Sequence, residues 1–428
     1  MSVLGIIVEY NPFHNGHLYH LRESIARVSA DYTVCAMSGN FVQRGEPAIV
    51  NKRARAKMAL LAGADLIVEI PAVYAASSAE FFAYCGVKIL DSLGIVDYIC
   101  FGSEAGEIEQ LEPIAEILYR EPELYKAILK KYLDEGLSYP KARENALQEY
   151  MITCNPGKKD LFSGFDISGV MGFSNNILAV EYLKALKRLN SRIKPVTIKR
   201  KANLYTTQEL TGEISSATAI RKHLRKDSSG NLVRIDESLR KTLPEKSVEI
   251  LEEEFSNGRG PVFFENFESI ILSAIRKMKA EDIRSFPNIA EGLENRIKNA
   301  ANNSGSLEEL IDNICTKRYT RTRIQRTLVS MLLGITAQDF ITFNNGGGPQ
   351  YIRVLGFNKK GAYLLSKIKK RASLPVIVKA SDFIKSDNPL INRMLEIEFL
   401  ATDIYVLGYE NPAYRKSGQE YTDNLIIL

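Results

Sequence analysis

The chain has no tryptophan, only four histidines and only five cysteines in 428 residues, and each scarcity narrows what it can be. Cys35, Cys85, Cys100, Cys154 and Cys315 are scattered, with no Cys-x-x-Cys pair. That spacing excludes a disulfide scaffold or a zinc ribbon and suits a reducing compartment, where such residues are small buried hydrophobes. No apolar run approaches the ~20 residues that cross a bilayer, and the start lacks the charged, apolar and small-residue order of a signal peptide. A cytoplasmic location is expected. The acidic residue of an HExxH metal motif is missing, and Gly346-Gly-Gly348-Pro349 is not followed by the lysine and hydroxyl of a P-loop, which leaves it a flexible joint. No RRM, KH or zinc-knuckle signature is present either.

What remains is an ordinary globular composition, 45% hydrophobic and 25% charged, too long for one average domain. Two domains are expected, one over 1–226 with a helical insertion at about 105–165, and a mostly helical one over 227–428, with Asp227-Ser-Ser-Gly-Asn231 as the linker. In the first half apolar runs alternate with helical patterns, which predicts an α/β fold: a Rossmann-like parallel sheet with helices on both faces. Strands are expected at Val3 to Val8, Tyr32 to Met37, Leu66 to Ile70, Tyr98 to Phe101 and Pro195 to Lys199. Helical spacing fills Leu18 to Val28, Arg53 to Ala62, Ala79 to Leu93 and Ser174 to Leu189, the last with Ser174 or Asn175 as its N-cap. Pro113, Pro122 and Pro140 are read as helix breaks. Beyond Lys226 the pattern is mainly helical, at Phe263 to Met278, Ala290 to Ala301, Leu307 to Cys315 and Thr320 to Leu333.

Three of the four histidines fall within seven residues, in the run Ile7-Val8-Glu9-Tyr10-Asn11-Pro12-Phe13-His14-Asn15-Gly16-His17-Leu18-Tyr19-His20. An apolar strand enters a proline turn there, and His14 to His17 opens a helix. The first N–H groups of a helix lack intrahelical partners and carry its positive end, so an anion is stabilised at that turn. The imidazoles can add donors, and Gly16 lets backbone approach closely. Two other readings stay open: a metal held by His14 and His17, and turn histidines without chemistry. A second element, Ser215-Ser216-Ala-Thr-Ala-Ile-Arg221, sets hydroxyls before a helix with a cation one turn in, and suits β- and γ-phosphates. Taken alone it is also an ordinary capped helix. Lys317, Arg318, Arg321, Arg323 and Arg326 cluster at one helix start, and Lys367, Lys369, Lys370 and Arg371 form a further basic group. Such runs are either solvated helix faces or an RNA-backbone surface. The net charge of +5 does not choose between them.

His14-Asn-Gly-His17 after a strand resembles the HxGH element of the nucleotidyltransferase and class I aminoacyl-tRNA synthetase superfamily. The longer set is more specific. Gly5 to Leu21, Met37 to Pro47, Phe101-Gly-Ser-Glu104, Ser138 to Arg143, Asn175 to Leu178, Ile214 to Arg221, Lys317 to Arg326 and Tyr351 to Gly356 resemble the tRNA(Met) cytidine acetate ligase family over nearly the whole chain. The resemblance implies an ATP-dependent ligase. It would activate acetate as acetyl-adenylate and pass the acetyl group to N4 of the wobble cytidine of elongator tRNA(Met). It implies ATP binding by Ile7 to His20 with Gly102, Asn175 and Arg200, and by Ser215 and Ser216. His14, His17 and Arg221 would act on the phosphates, and Lys317, Arg318, Arg321, Arg323 and Arg326 would meet tRNA. Mg²⁺ is expected with ATP, though no carboxylate stands out as its ligand, nor any base for the transfer step. Asn40, Gln43, Arg44 and Lys52 are candidates for acetate. The rivals are an adenylyltransferase acting on a phosphorylated small metabolite, and a non-catalytic RNA-binding protein with this fold.

Overall fold

Val3–Val8 (β1) is apolar on both faces because it runs through the middle of a sheet covered on both sides. Leu4, Ile6 and Val8 enter one core and Val3 the other. The computed structural model describes residues 1–154, 167–200, 210, 214–225, 235–290, 292–379 and 386–428. β2 (Tyr32–Ser38) pairs in parallel with β1, and a short antiparallel hairpin of β3 (Phe41–Val42) and β4 (Glu46–Pro47) follows. β5 (Leu66–Ile70) continues the parallel sheet on one side, and β6 (Tyr98–Ser103) with β7 (Lys194–Lys199) continues it on the other. All five expected strands form. The chain therefore steps outward from β1 in one direction, returns, and steps out in the other, so the order reverses between β1 and β6. A crevice outside the carboxyl ends of these two strands follows from that reversal.

The helices Asn15–Val28 and Lys52–Leu61 cover one face of the sheet, while Ala79–Ser92 and Ser174–Arg188 cover the other. Gly5 permits the second layer to sit close, since a Cβ there would lie 2.8 Å from the Leu90 side chain. Two local expectations are corrected. The cap of Ser174–Arg188 is Phe173, so Ser174 and Asn175 occupy the first two helical positions. Pro113 does not break its helix but stands inside Ile108–Arg120, whereas Pro122 caps Glu123–Asp134 and Pro140 sits in the first turn of Tyr139–Cys154. Proline is tolerated where the first-turn N–H is unpaired anyway.

The sheet is not confined to residues 1–226. β8 (Ile352–Phe357) adds antiparallel to β5, and β9 (Val376–Ile377) and β10 (Ile426–Ile427) pair with β8. An edge strand that would expose a row of unpaired N–H and C=O groups is thereby covered from the C-terminal half. The rest of that half is mainly helical, including Glu268–Lys277, Leu293–Asn303, Leu307–Ile314 and Arg321–Leu332. The expected linker at Asp227, the boundary at 226 and the far end of the insertion lie outside the described residues. No helix among the described residues is long and apolar enough to cross a membrane.

Candidate active site

His14 sits where β1 turns into the helix Asn15–Val28 and is its N-cap. Its Nδ1 accepts from the Gly16 N–H at 3.0 Å, and the Nδ1 of His17 lies 3.4 Å from the His14 N–H. The two rings stack with centroids 3.7 Å apart, and Tyr10 packs edge-on against His17 at 5.0 Å. Burial first, then Arg200 and Arg221, holds the His14 pKa down at about 3. Burial and Arg200 hold His20 at about 4. His17 is likewise well below its ordinary value through burial, then His14, Arg200 and His20. All three are therefore neutral near pH 7. A neutral imidazole whose Nδ1 accepts carries its proton on Nε2, so His14 and His17 are capped donors rather than cations. Among the described residues no group of three or more His, Cys, Asp or Glu is placed to hold a metal ion.

These residues line a cleft of about 240 Å³ at the ends of β1, β6 and β7. Of the expected nucleotide residues, Ile7, Val8, Glu9, Tyr10, His14, Gly16, His17, Tyr19, His20, Gly102, Asn175, Arg200, Ser215 and Ser216 face it. Residues from five separate stretches of sequence thus meet. Arg200 donates to the Asn175 Oδ1 at 3.2 Å, and a Cβ on Gly102 would lie 3.4 Å from Arg200 and 3.7 Å from His20. The buried His20 Nε2 has no hydrogen-bond partner. Asn175 faces the cleft while Asn176 is used internally, its Oδ1 accepting from the N–H groups of Glu104 and Ala105 at 2.8 and 3.1 Å. Ser216 caps the helix Ala217–His223, accepting from the Ala219 N–H at 3.0 Å.

Other expected residues are placed elsewhere. Asn11, Pro12, Phe13, Asn15 and Leu18 do not line the cleft: Asn11 accepts from the Ile49 N–H, Phe13 is fully buried, and Asn15 donates to the Lys241 carbonyl. Arg221 does not line it either. Its guanidinium donates to the Asn11 carbonyl at 3.0 Å and pairs with Glu46 at 2.8 Å, bracing the turn that carries the histidines. Among the acetate candidates, Gln43 and Arg44 reach the cleft from the β3–β4 hairpin. Asn40 and Lys52 do not: Asn40 accepts from the Lys52 N–H at 2.8 Å, and the Lys52 ammonium is buried among Glu69, Glu398 and Glu420.

The basic helix start also divides. Lys317 and Arg318 are exposed. Arg321 pairs with Asp312 at 2.9 Å and with Glu308, and Arg323 donates to the Asn288 carbonyl and lies over the Tyr319 ring. Arg326 is not a solvated charge: it donates to the Gln43 carbonyl at 3.4 Å, and burial with Arg323 lowers its pKa to about 10. Its helix seats on the β3–β4 hairpin at Gly45, where φ is +77° and a Cβ would come 2.3 Å from the Arg326 nitrogen. The second basic group lies at the opposite end of the strands, since the Asn358 N–H bonds the Asp65 carbonyl just before β5 and Lys360 reaches the Asp31 carbonyl just before β2.

The apolar wall was not anticipated. Phe82, Phe101, Leu178 and Tyr182 line the cleft, with Phe101 and Tyr182 ring centroids 5.4 Å apart. The signal existed: Asn175, Leu178 and Tyr182 stand at i, i+3 and i+7, one face of one helix. A cleft with aromatic and aliphatic walls at one side and capped helix starts at the other fits a planar base joined to phosphates.

Residues 1–420 match the model of the HIGH Nucleotidyl Transferase family. A protein of Acetivibrio thermocellus named tRNA(Met) cytidine acetate ligase is 56% identical over 428 residues, all of both chains. A protein of the same name from Halothermothrix orenii is 45% identical over 98% of each chain. The crystal structure of Thermotoga maritima TmcAL bound with alpha-thio ATP superposes with a TM-score of 0.90 at 37% identity, covering all of both chains, and its apo form with 0.92. The chain belongs to the tRNA(Met) cytidine acetate ligase family.

Proposed function

We propose that the protein binds ATP in this cleft, joins acetate to AMP, and transfers the acetyl group to N4 of the wobble cytidine of elongator tRNA(Met), giving N4-acetylcytidine, AMP and diphosphate. The observation that carries the reading is the meeting of His14, His17, Gly102, Asn175, Arg200 and Ser215 around one cleft, in a chain whose relatives bear this activity in their names. In the first step an acetate oxygen bonds to the α-phosphorus and the bond to the departing diphosphate breaks. Anions are brought together, so positioned donors matter more than a covalent nucleophile. His14, His17 and Arg200 would serve the phosphates, with Arg221 holding the histidine turn in place. Arg44, with Gln43, is the cation at hand for acetate. Mg²⁺ would enter on the phosphates, since among the described residues the cleft has a single carboxylate, fewer than a protein-held ion takes. A tRNA substrate and the reduced cysteines suit the cytoplasm.

The test is incubation with ATP, Mg²⁺, labelled acetate and unmodified elongator tRNA(Met), followed by nucleoside analysis. N4-acetylcytidine that requires every component is expected. Diphosphate release without label in RNA would instead favour the adenylyltransferase, and no turnover at all would favour a binding protein. The tRNA surface is read as running from exposed Lys317 and Arg318 along the helix whose Arg326 touches the cleft hairpin. Lys317→Glu with Arg318→Glu is expected to weaken tRNA binding at least ~10-fold at low salt and to flatten its salt dependence, with acetate-dependent exchange of labelled diphosphate into ATP unchanged. A salt slope equal to wild type would remove these two residues from the interface.

A further inference from the structure

The transfer step has to dispose of a proton, and among the described residues one group in the cleft is built to take it. Glu9 directly follows β1 and, among the described residues, is the sole carboxylate lining the cleft. Its Oε1 accepts from the Gln43 N–H at 2.7 Å, its Oε2 has no hydrogen bond to a described residue, and the half-buried residue lines the cleft. The histidines beside it are poor bases, since burial and the nearby guanidinium groups hold His14 at about 3 and His20 at about 4. We propose that Glu9 is the general base of acetyl transfer, its Oε2 receiving the proton that the cytidine N4 amine loses as it attacks the acyl carbon.

The step balances. The N4–carbon bond forms, the bond from the acyl carbon to the adenylate oxygen breaks, AMP leaves with that electron pair, and the N4 proton moves to Glu9. An exocyclic amine conjugated to cytosine is a weak nucleophile, so removing its proton as the bond forms lowers the barrier. The groups around the carboxylate set its basicity. Burial raises its pKa above the ordinary carboxylate value, Glu46 of the hairpin adds to this, and the Gln43 N–H, Arg44 and Arg221 act against it. Arg55, from the helix Lys52–Leu61, holds the Glu9 carbonyl at 2.5 Å and fixes the end of the strand. A carboxylate made more basic and held by one oxygen is suited to accept a proton with the other.

This inference rests on the reaction proposed above, and the two can fail separately. Glu9→Gln keeps an oxygen for the Gln43 N–H, so the loop it fixes is retained, and a matching melting temperature checks this. Two half-reactions are measured: acetate-dependent exchange of labelled diphosphate into ATP, and single-turnover transfer from synthetic acetyl-adenylate to unmodified elongator tRNA(Met). Transfer is expected to fall about 30-fold or more beyond whatever loss exchange shows, since Glu9 also lines the nucleotide cleft. The wild-type transfer rate is expected to rise with pH and level off as Glu9 loses its proton, and this limb is expected to vanish in the variant. Wild-type transfer by Glu9→Gln, or an equal loss in both half-reactions, would overturn the assignment. Wild-type protein inert toward acetyl-adenylate would overturn the ligase reading and the role of Glu9 with it, whereas an active wild type beside an equally active variant would remove Glu9 alone.

Discussion

His17→Ala is expected to reduce acetate-dependent exchange of labelled diphosphate into ATP by about 100- to 1000-fold, the scale on which a single preorganised donor aimed at developing charge matters. The His17 ring is held on three sides, by the His14 N–H at 3.4 Å, the stacked His14 ring at 3.7 Å and the Tyr10 edge at 5.0 Å. It pays no reorganisation when phosphate oxygens arrive, and alanine removes both the donor and the stack. His14→Asn separates the two duties of its neighbour: asparagine is a good N-cap and keeps an acceptor for the Gly16 N–H, but offers no Nε2–H. That variant is expected to melt like wild type and to lose exchange. tRNA binding is expected to survive in both, because Lys317 and Arg318 stand apart from the histidine turn, in the exposed connection between Leu307–Ile314 and Arg321–Leu332. Near-normal exchange in His17→Ala would mean that the histidine turn is only a cap. The pH profile adds a sign: His14 and His20, held at about 3 and about 4, are already neutral at pH 6, so exchange should show no falling limb between pH 6 and 8 from histidine deprotonation.

The same turn shows how far sequence reasoning reaches. The strand, proline, capped histidine and glycine of residues 3–17 are local signals, and the helix starts where they say. The parallel strands were legible because burial on both faces leaves unbroken apolar runs. β8 was not, since Ile352–Phe357 is a strand only by virtue of β5, nearly three hundred residues earlier. Arg326 and Lys52 show the same limit for charge. In sequence each is one cation in a polar stretch, and only the fold reveals that one lies under the hairpin and the other amid three carboxylates. Leu178 and Tyr182 were readable in principle, at helical spacing from Asn175.

Lys52, expected at the acetate site, instead leads to the largest stability prediction. Its ammonium lies 2.5 Å from Glu69 on β5, 2.9 Å from Glu398 in the helix Pro389–Tyr405 and 2.6 Å from Glu420 near the C-terminus. Arg353 on β8 joins Glu69 at 3.3 Å and also contacts Glu420, and Arg53 reaches Glu420 at 3.5 Å. Burial alone would lower the Lys52 pKa, yet the three carboxylates raise it. Such a cluster need not stabilise the fold more than apolar residues of the same volume, but removing one partner strands the rest in a medium that cannot solvate them. Lys52→Met is therefore expected to cost about 3–5 kcal/mol, read as a lower midpoint in urea. Burial and Glu398 push Glu69 up to about 8 against Lys52 and Arg353, so it is the group that takes a proton. Between its unfolded value near 4.5 and its folded value near 8, the folded chain binds more protons than the unfolded one, so stability falls as pH rises. Without Lys52 this proton is held more tightly, and the deficit against wild type is expected to be larger at pH 8 than at pH 6. Adding Glu69→Gln supplies a neutral group with no proton to take up and should recover part of the loss, more of it at pH 8 than at pH 6, the two changes being non-additive because the side chains touch. The cluster lies outside the cleft, so exchange activity at low temperature should persist in the single variant. Unchanged stability, or a deficit that shrinks as pH rises, would show that Lys52 is not the counter-charge that holds β5, β8 and the C-terminal helices together.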